Sequence, residues 1–171
     1  LVSPGSNYAA AIDANIDLAV PSLDIFKEIV ATGKRARIHI EVDTGMTRGG
    51  FLEEWSEFLK SEFSKVEVVG VFSHFARADE VSEKQNQDQL ANFNNAIADL
   101  VAVGVTPKLK HLANSAATLT NQSAAFDLVR TGIAMYGLTP DLENLGTSKS
   151  LGLLAAMQVR AKLHLVKKVP A

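Results

Sequence analysis

Cysteine is absent from the 171 residues, which removes a disulfide framework, a thiolate metal site and a cysteine nucleophile together. Stability has to come from an apolar core. Charge of one sign is also lacking: seventeen Lys+Arg face nineteen Asp+Glu, a formal net of −2. No broad positive field exists to hold a polyanion or an anionic bilayer, so neither nucleic acid nor membrane is expected as a partner. The longest clean apolar runs, such as Val68 to Phe72, are strand-sized and fall well short of the roughly 18 residues of a spanning helix. Five prolines and eleven glycines form no linker or low-complexity tract. With 47% hydrophobic residues, the length suits one well-buried domain by the usual prior of about 150 residues.

What is present is an alternation of strand-like apolar runs with amphipathic segments of helical period, the pattern of α/β architecture with parallel strands. Strands are predicted at Asp17 to Val20, Ala36 to Val42, Val66 to Phe75, Lys110 to Ala113 and Leu128 to Tyr136, with Leu1-Val2 as the end of an earlier one. Helices are predicted at Ser22 to Val30, at Phe51 to Phe63 and at Ser82 to Val103, where Gly104 is placed to end the last. The Gln- and Asn-rich face of that helix reads as solvated. Residues 153 to 169 alternate with period two, as a half-buried strand does. They are expected to open a second domain, which divides the chain at about residue 150.

The segment from Ile38 to Gly50 carries the densest polar chemistry. On a strand, His39, Glu41 and Asp43 share one face while Ile38, Ile40 and Val42 share the other. If the polar side is a barrel interior, these groups are buried and need partners, and Arg48 is the nearest candidate. Gly45, Gly49 and Gly50 are consistent with a turn or with close approach of a ligand. His74 ends an apolar run, and Asn114 and Ser115 follow another, so all three stand where ligands bind parallel sheets, outside the carboxyl ends of the strands. Ser115 has no nucleophile elbow around it. It suits a donor to phosphate or a cap for Ala116 to Leu119. Arg130 lies in an apolar stretch where a guanidinium needs an acceptor, and Gly132 leaves neighbouring amides open to an anion. His39, His74, His111 and His164 lack zinc-type spacing, so no metal is expected.

Four segments, Val42 to Arg48, Val71 to Ala76, His111 to Ala116 and Val129 to Gly137, together closely resemble the alanine racemase family of fold-type III pyridoxal-phosphate enzymes. The resemblance covers nearly the whole chain. It implies a (β/α)8 barrel joined to a β-rich domain, with residues 1–150 as about strands 3 to 8 of the barrel and 151–171 as the first strand of the second domain. It further implies a cytoplasmic homodimer that interconverts L- and D-alanine with pyridoxal 5'-phosphate and supplies D-alanine for peptidoglycan. Arg48 would donate to the cofactor's phenolic oxygen and help hold the substrate carboxylate. His74 would lie under the ring and bond Arg130, which would donate to the ring nitrogen. Ser115 and the amides of Gly132 and Ile133 would bind the phosphate, with Asn114 supporting them. Two alternatives stand beside this: a racemase of broader amino-acid range, and a non-catalytic anion-binding module.

Two departures from the family pattern matter. Where some members place a carbamylated lysine, this chain has Glu41, which is expected to supply the negative charge itself and to orient Arg48 by a charge-assisted bond. The family's Schiff-base lysine, in an Ala-Tyr-Gly-His-Gly context, and the partner subunit's catalytic tyrosine have no counterpart here; none of the eleven lysines, Lys108 and Lys110 included, lies in such a context. The chain by itself is therefore expected to be inactive.

Overall fold

The structure, a computed structural model, describes Gly5 and residues 7–170. Four parallel strands, β1 (Leu18–Val20), β2 (Ala36–Glu41), β3 (Val66–Phe72) and β4 (Leu109–His111), pair in the order β1-β2-β3-β4. Each new strand joins the same advancing edge. A doubly wound sheet reverses its order at a switch point, whereas the wall of a barrel does not, so this is part of a (β/α)8 barrel. α1 (Tyr8–Asp13) precedes β1, the helices between strands are α2 (Leu23–Ala31), α3 (Trp55–Phe58) and α4 (Lys84–Ala102), and α5 (Ser115–Thr120) and α6 (Leu142–Leu145) follow β4.

The two faces of the sheet follow from side-chain alternation. Leu18, Val20, Ile38, Ile40 and Val71 are fully buried and pack under Phe26, Ile29, Phe93 and Leu100 of the helices. Burial of each such side chain contributes about 1.5–3 kcal/mol. Asp17, His39, Glu41, Phe72 and His111 lie on the opposite face, at the register His39↔Gly70 and Glu41↔Phe72↔His111. Between Ile38 and His39 the pairing slips by one residue, so that Val69 and Gly70 both oppose His39, as in a β-bulge.

Several expected elements differ. The aromatic stripe from Phe51 to Phe63 is buried as read, with Phe51 stacked on Phe58 at 4.0 Å and Phe58 edge-on to Phe63 at 5.2 Å. Only Trp55–Phe58 is α-helical, however, because Phe51 is held extended in a bridge to Val42. β3 ends at Phe72, short of Phe75. Leu128 to Tyr136 is not a strand. It runs irregularly to a 3-10 turn at Ile133–Tyr136 that Gly137 closes with φ of 81°. Its apolar side chains Leu128, Val129, Ile133 and Met135 are exposed, so no strand-like burial holds it to the sheet. Residues 153–169 form no strand either: Leu154, Val159 and Leu163 are 86%, 98% and 81% exposed, with no ladder partner among the described residues. The strand expected at Leu1-Val2 lies outside the described residues.

Candidate active site

The carboxyl ends of β2, β3 and β4 lead into the loops that carry the predicted site residues. After β2, Asp43 Oδ1 accepts the amides of Gly45, Met46 and Thr47 at 2.9, 3.0 and 3.0 Å. This ties the glycine-containing segment into a turn and gives Asp43 an architectural role. Arg48 follows on the exposed side of that turn. After β4, Asn114 caps α5, its Oδ1 accepting Ala117 N at 3.0 Å. Ser115, expected as a possible cap, is the first helical residue, and its Oγ accepts the amides of Gly132 at 2.8 Å and Ala134 at 3.3 Å. With both lone pairs engaged, the hydroxyl hydrogen remains to donate outward.

Arg130 reaches back across the ends of β3 and β4, anchored by its amide on Ala113 O at 2.9 Å. Its Nη1 donates to His111 Nδ1 at 2.6 Å and to His111 O at 3.0 Å. Its Nη2 donates to Ser73 O at 2.5 Å and lies 3.3 Å from His74 Nδ1. Of the five guanidinium N–H groups, these contacts leave Nε–H. Arg130 and His74 line a cleft of about 300 Å³ together with Asp79, Asn114, Ser115, Gly132, Ile133 and Pro140. Asp79 and Pro140 were not expected there as lining; they arrive from distant loops and carry no local signal. A Cβ placed on Gly132 would come 3.9 Å from Ser115 Oγ with nothing else within 4 Å, so a side chain here would begin to fill the space beside the hydroxyl.

The charges in this region act on one another at short range. Burial, followed by the charges of Arg130 and Arg48, lowers the His74 pKa to about 4. Burial, Arg130 and His39 lower that of His111 to about 3. Both rings are neutral at pH 7. Burial and the neighbouring Arg48 bring Arg130 to about 10, with Glu41 pulling the other way, so Arg130 remains a cation. Burial raises the Glu41 pKa, opposed by Arg48 and then by Arg130.

The expected charge-assisted bond between Glu41 and Arg48 is not formed. The carboxylate lies against the backbone of Gly49, where a Cβ would stand 3.6 Å from Oε1, and Arg48 acts on it through its charge without a hydrogen bond. Glu41 therefore influences both arginines through space. Arg48 is likewise not among the residues that line the cleft.

One part of the site departs from the solvated face that α4 was expected to present. On α4, Gln89 is fully buried: Nε2 donates to His74 O at 2.8 Å and Thr44 Oγ1 at 3.1 Å, while Oε1 accepts Ala76 N at 2.9 Å. Gln85 donates to Gly45 O at 2.9 Å and Asn92 to Thr44 O at 3.2 Å. The amide face of α4 thus clamps the loops after β2 and β3.

A family model described as alanine racemase, N-terminal domain, matches residues 1–140. A curated alanine racemase of Salinispora tropica is 41% identical over all of this chain, which covers 47% of that protein. The chain thus spans about half the length of the curated relatives it matches. Among solved structures, the alanine racemase of D-cycloserine-producing Streptomyces lavendulae superposes with a TM-score of 0.91 at 42% identity, covering 100% of this chain and 47% of that one. The alanine racemase of Bacillus anthracis with bound L-Ala-P gives 0.73 at 38% identity, covering 81% of this chain and 38% of that one. With most of its length matched by the family model, the chain belongs to the alanine racemase N-terminal-domain family.

Proposed function

We propose that the full-length protein containing this chain is a pyridoxal-phosphate-dependent alanine racemase, a cytoplasmic homodimer that supplies D-alanine for peptidoglycan. The residues present suit that cofactor: a free hydroxyl donor on Ser115, the side-chain-free Gly132 beside it and a cationic Arg130 border one cleft. Ser115 and the amide of Ile133 would hold the phosphate, the Gly132 amide orienting the Ser115 hydroxyl by donating to its Oγ, with Asn114 fixing the start of α5 beneath them. Arg48, carried on the Asp43-anchored turn, would reach the phenolic oxygen and the substrate carboxylate when the rest of the site is assembled. Glu41 would set the field between Arg48 and Arg130. The alternating segment 151–171 would begin the C-terminal β domain.

Bound pyridoxal phosphate supplies an electron sink that acidifies the Cα–H of an attached amino acid. The observation that carries the reading is the donor inventory of Arg130. Its Nη groups are committed to His111, Ser73 and His74, and a guanidinium at neutral pH can only donate. Facing the ring nitrogen of the bound cofactor, Arg130 would offer it only donors and leave it unprotonated, which would weaken the sink and favour return of a proton to Cα over transamination. His74, neutral, is free to hold Arg130 without competing for its charge. Arg130→Glu in the full-length enzyme should raise the ratio of transamination to racemisation; an unchanged ratio would refute this role. No lysine borders the cleft, so the 171-residue polypeptide alone should bind the cofactor without a covalent link. Racemisation by that polypeptide above the rate of free cofactor would contradict the assignment.

A further inference from the structure

Behind Arg130, on the polar face of the sheet, stands a line of groups that the roles above leave unused. His111 Nε2 lies 2.9 Å from His39 Nδ1, and His39 Nε2 lies 3.3 Å from Asp17 Oδ2. His39 is 5% and His111 1% exposed, while the Asp17 side chain, 20% exposed, also meets Arg37 at 2.8 Å. The line begins at the carboxyl ends of the strands, where His111 closes β4. It ends at their amino ends, one residue before β1.

The direction of every bond in this line is fixed by its two termini. Arg130 can only donate, so His111 Nδ1 must accept; a neutral His111 then carries its proton on Nε2 and donates to His39 Nδ1. His39 in turn carries its proton on Nε2 and donates to Asp17, which as a carboxylate can only accept. A ring turned over at either position would set donor against donor or acceptor against acceptor. The fold makes room for the arrangement. The bulge at Val69 and Gly70 aims His39 across β3, and a Cβ at position 70 would stand 2.4 Å from His39 Nδ1 and 2.7 Å from Cε1. Phe72 stacks on His111 with rings 3° from parallel and centroids 5.0 Å apart, which fixes the plane of that imidazole.

We propose that Asp17, His39 and His111 form a one-directional hydrogen-bond relay that positions Arg130 as a donor toward the cleft. The three are positioning residues, and the assignment rests on the cofactor role of Arg130 proposed above. A carboxylate set directly on Arg130 would occupy its donors and cancel its charge where the ring nitrogen has to meet it. Two neutral imidazoles instead pass the polarisation of Asp17 along the line, strengthening His111 Nδ1 as an acceptor without moving a proton.

The test uses the full-length protein with 15N-labelled histidine, with and without pyridoxal phosphate, at pH 7. His39 and His111 should each be neutral and protonated on Nε2. An Nδ1–H tautomer or an imidazolium at either position overturns the relay. His39→Leu should release His111 into a mixture of tautomers and weaken cofactor affinity, followed by visible absorbance, about ten-fold. His39→Asn, whose Oδ1 keeps an acceptor near the place of Nδ1, should restore the His111 Nε2–H form and most of the affinity. A folded His39→Leu protein with unchanged His111 tautomer and affinity refutes the proposal. If His39→Leu does not fold, Asp17→Asn at the exposed end serves: its amide can donate as well as accept, so a second His39 tautomer should emerge, and a single unchanged tautomer refutes the relay. Wild-type protein that takes up no pyridoxal phosphate overturns the proposed function, and the tautomers of the cofactor-free protein still decide the relay.

Discussion

Gln89→Leu is the sharpest test of how the site is held. Leucine matches glutamine closely in volume, so packing under α4 is kept while three hydrogen bonds are lost. Thr44 Oγ1 retains Ser73 Oγ at 2.8 Å, and its loss is small. The carbonyl of His74 and the amide of Ala76 lose their Gln89 partners, at about 1–3 kcal/mol for each buried group so left. The added apolar burial returns about 1 kcal/mol, which leaves a net loss of about 1–5 kcal/mol. Urea unfolding of the full-length protein measures this directly, and Gln87→Leu on the exposed side of the same helix is the control, expected within about 0.5 kcal/mol of wild type. Hydrogen exchange at the Ala76 amide should accelerate in Gln89→Leu alone. A loss below about 1 kcal/mol, or one equal to the control, would refute the clamp.

Gly70→Ala should cost about 1–3 kcal/mol in the same unfolding assay, because His39 is too buried to step aside from the new methyl group; a neutral result would contradict the close approach. Ser115→Ala should weaken binding of pyridoxal phosphate by about 10- to 100-fold, the worth of a hydrogen bond to a charged group, measured by equilibrium dialysis. Affinity that stays at the wild-type value would remove Ser115 from the phosphate site. Stability should fall as pH drops from 6.5 toward 4. His74 and His111 titrate at about 4 and about 3 when folded, against 6.5 when unfolded, so the unfolded chain takes up the extra protons. The stabilisation is complete above 6.5 and is lost on acidification at up to about 1.4 kcal/mol per pH unit for each ring. Glu41, with its pKa raised, acts in the opposite sense. A flat profile of unfolding free energy between pH 6.5 and 4.5 would contradict the burial of these rings.

Features decided by local pattern are legible in the sequence. Period-two alternation located β2 and its two faces, and the apolar stripe located α4 almost to the residue. Position after a strand end drew attention to His74, Asn114 and Ser115. What failed was decided at long range. The Gln and Asn side chains of α4 suit a solvated face by local pattern, because nothing local says that loops after two other strands will fold over them. The run from Leu128 to Tyr136 has the apolar content of a strand, yet Arg130 turns inward to His111 and Ser73, and the chain follows it into a 3-10 turn. Glu41 and Arg48 are close in sequence, yet the carboxylate settles against Gly49 and meets Arg48 only through its charge. The contact between His39 and His111 joins residues 72 positions apart, and only the sheet brings them together.

The slip between β2 and β3 has a consequence for which length changes this wall can accept. Because Val69 and Gly70 share one partner, Val69 is surplus to the ladder. A version lacking Val69 restores regular pairing and leaves Val71 against the helices and Phe72 beside His111. A deletion elsewhere in β3 has no such slack, and it would turn every later side chain through the sheet to the wrong surface. Natural variation in the length of β3 should therefore concentrate at this one position.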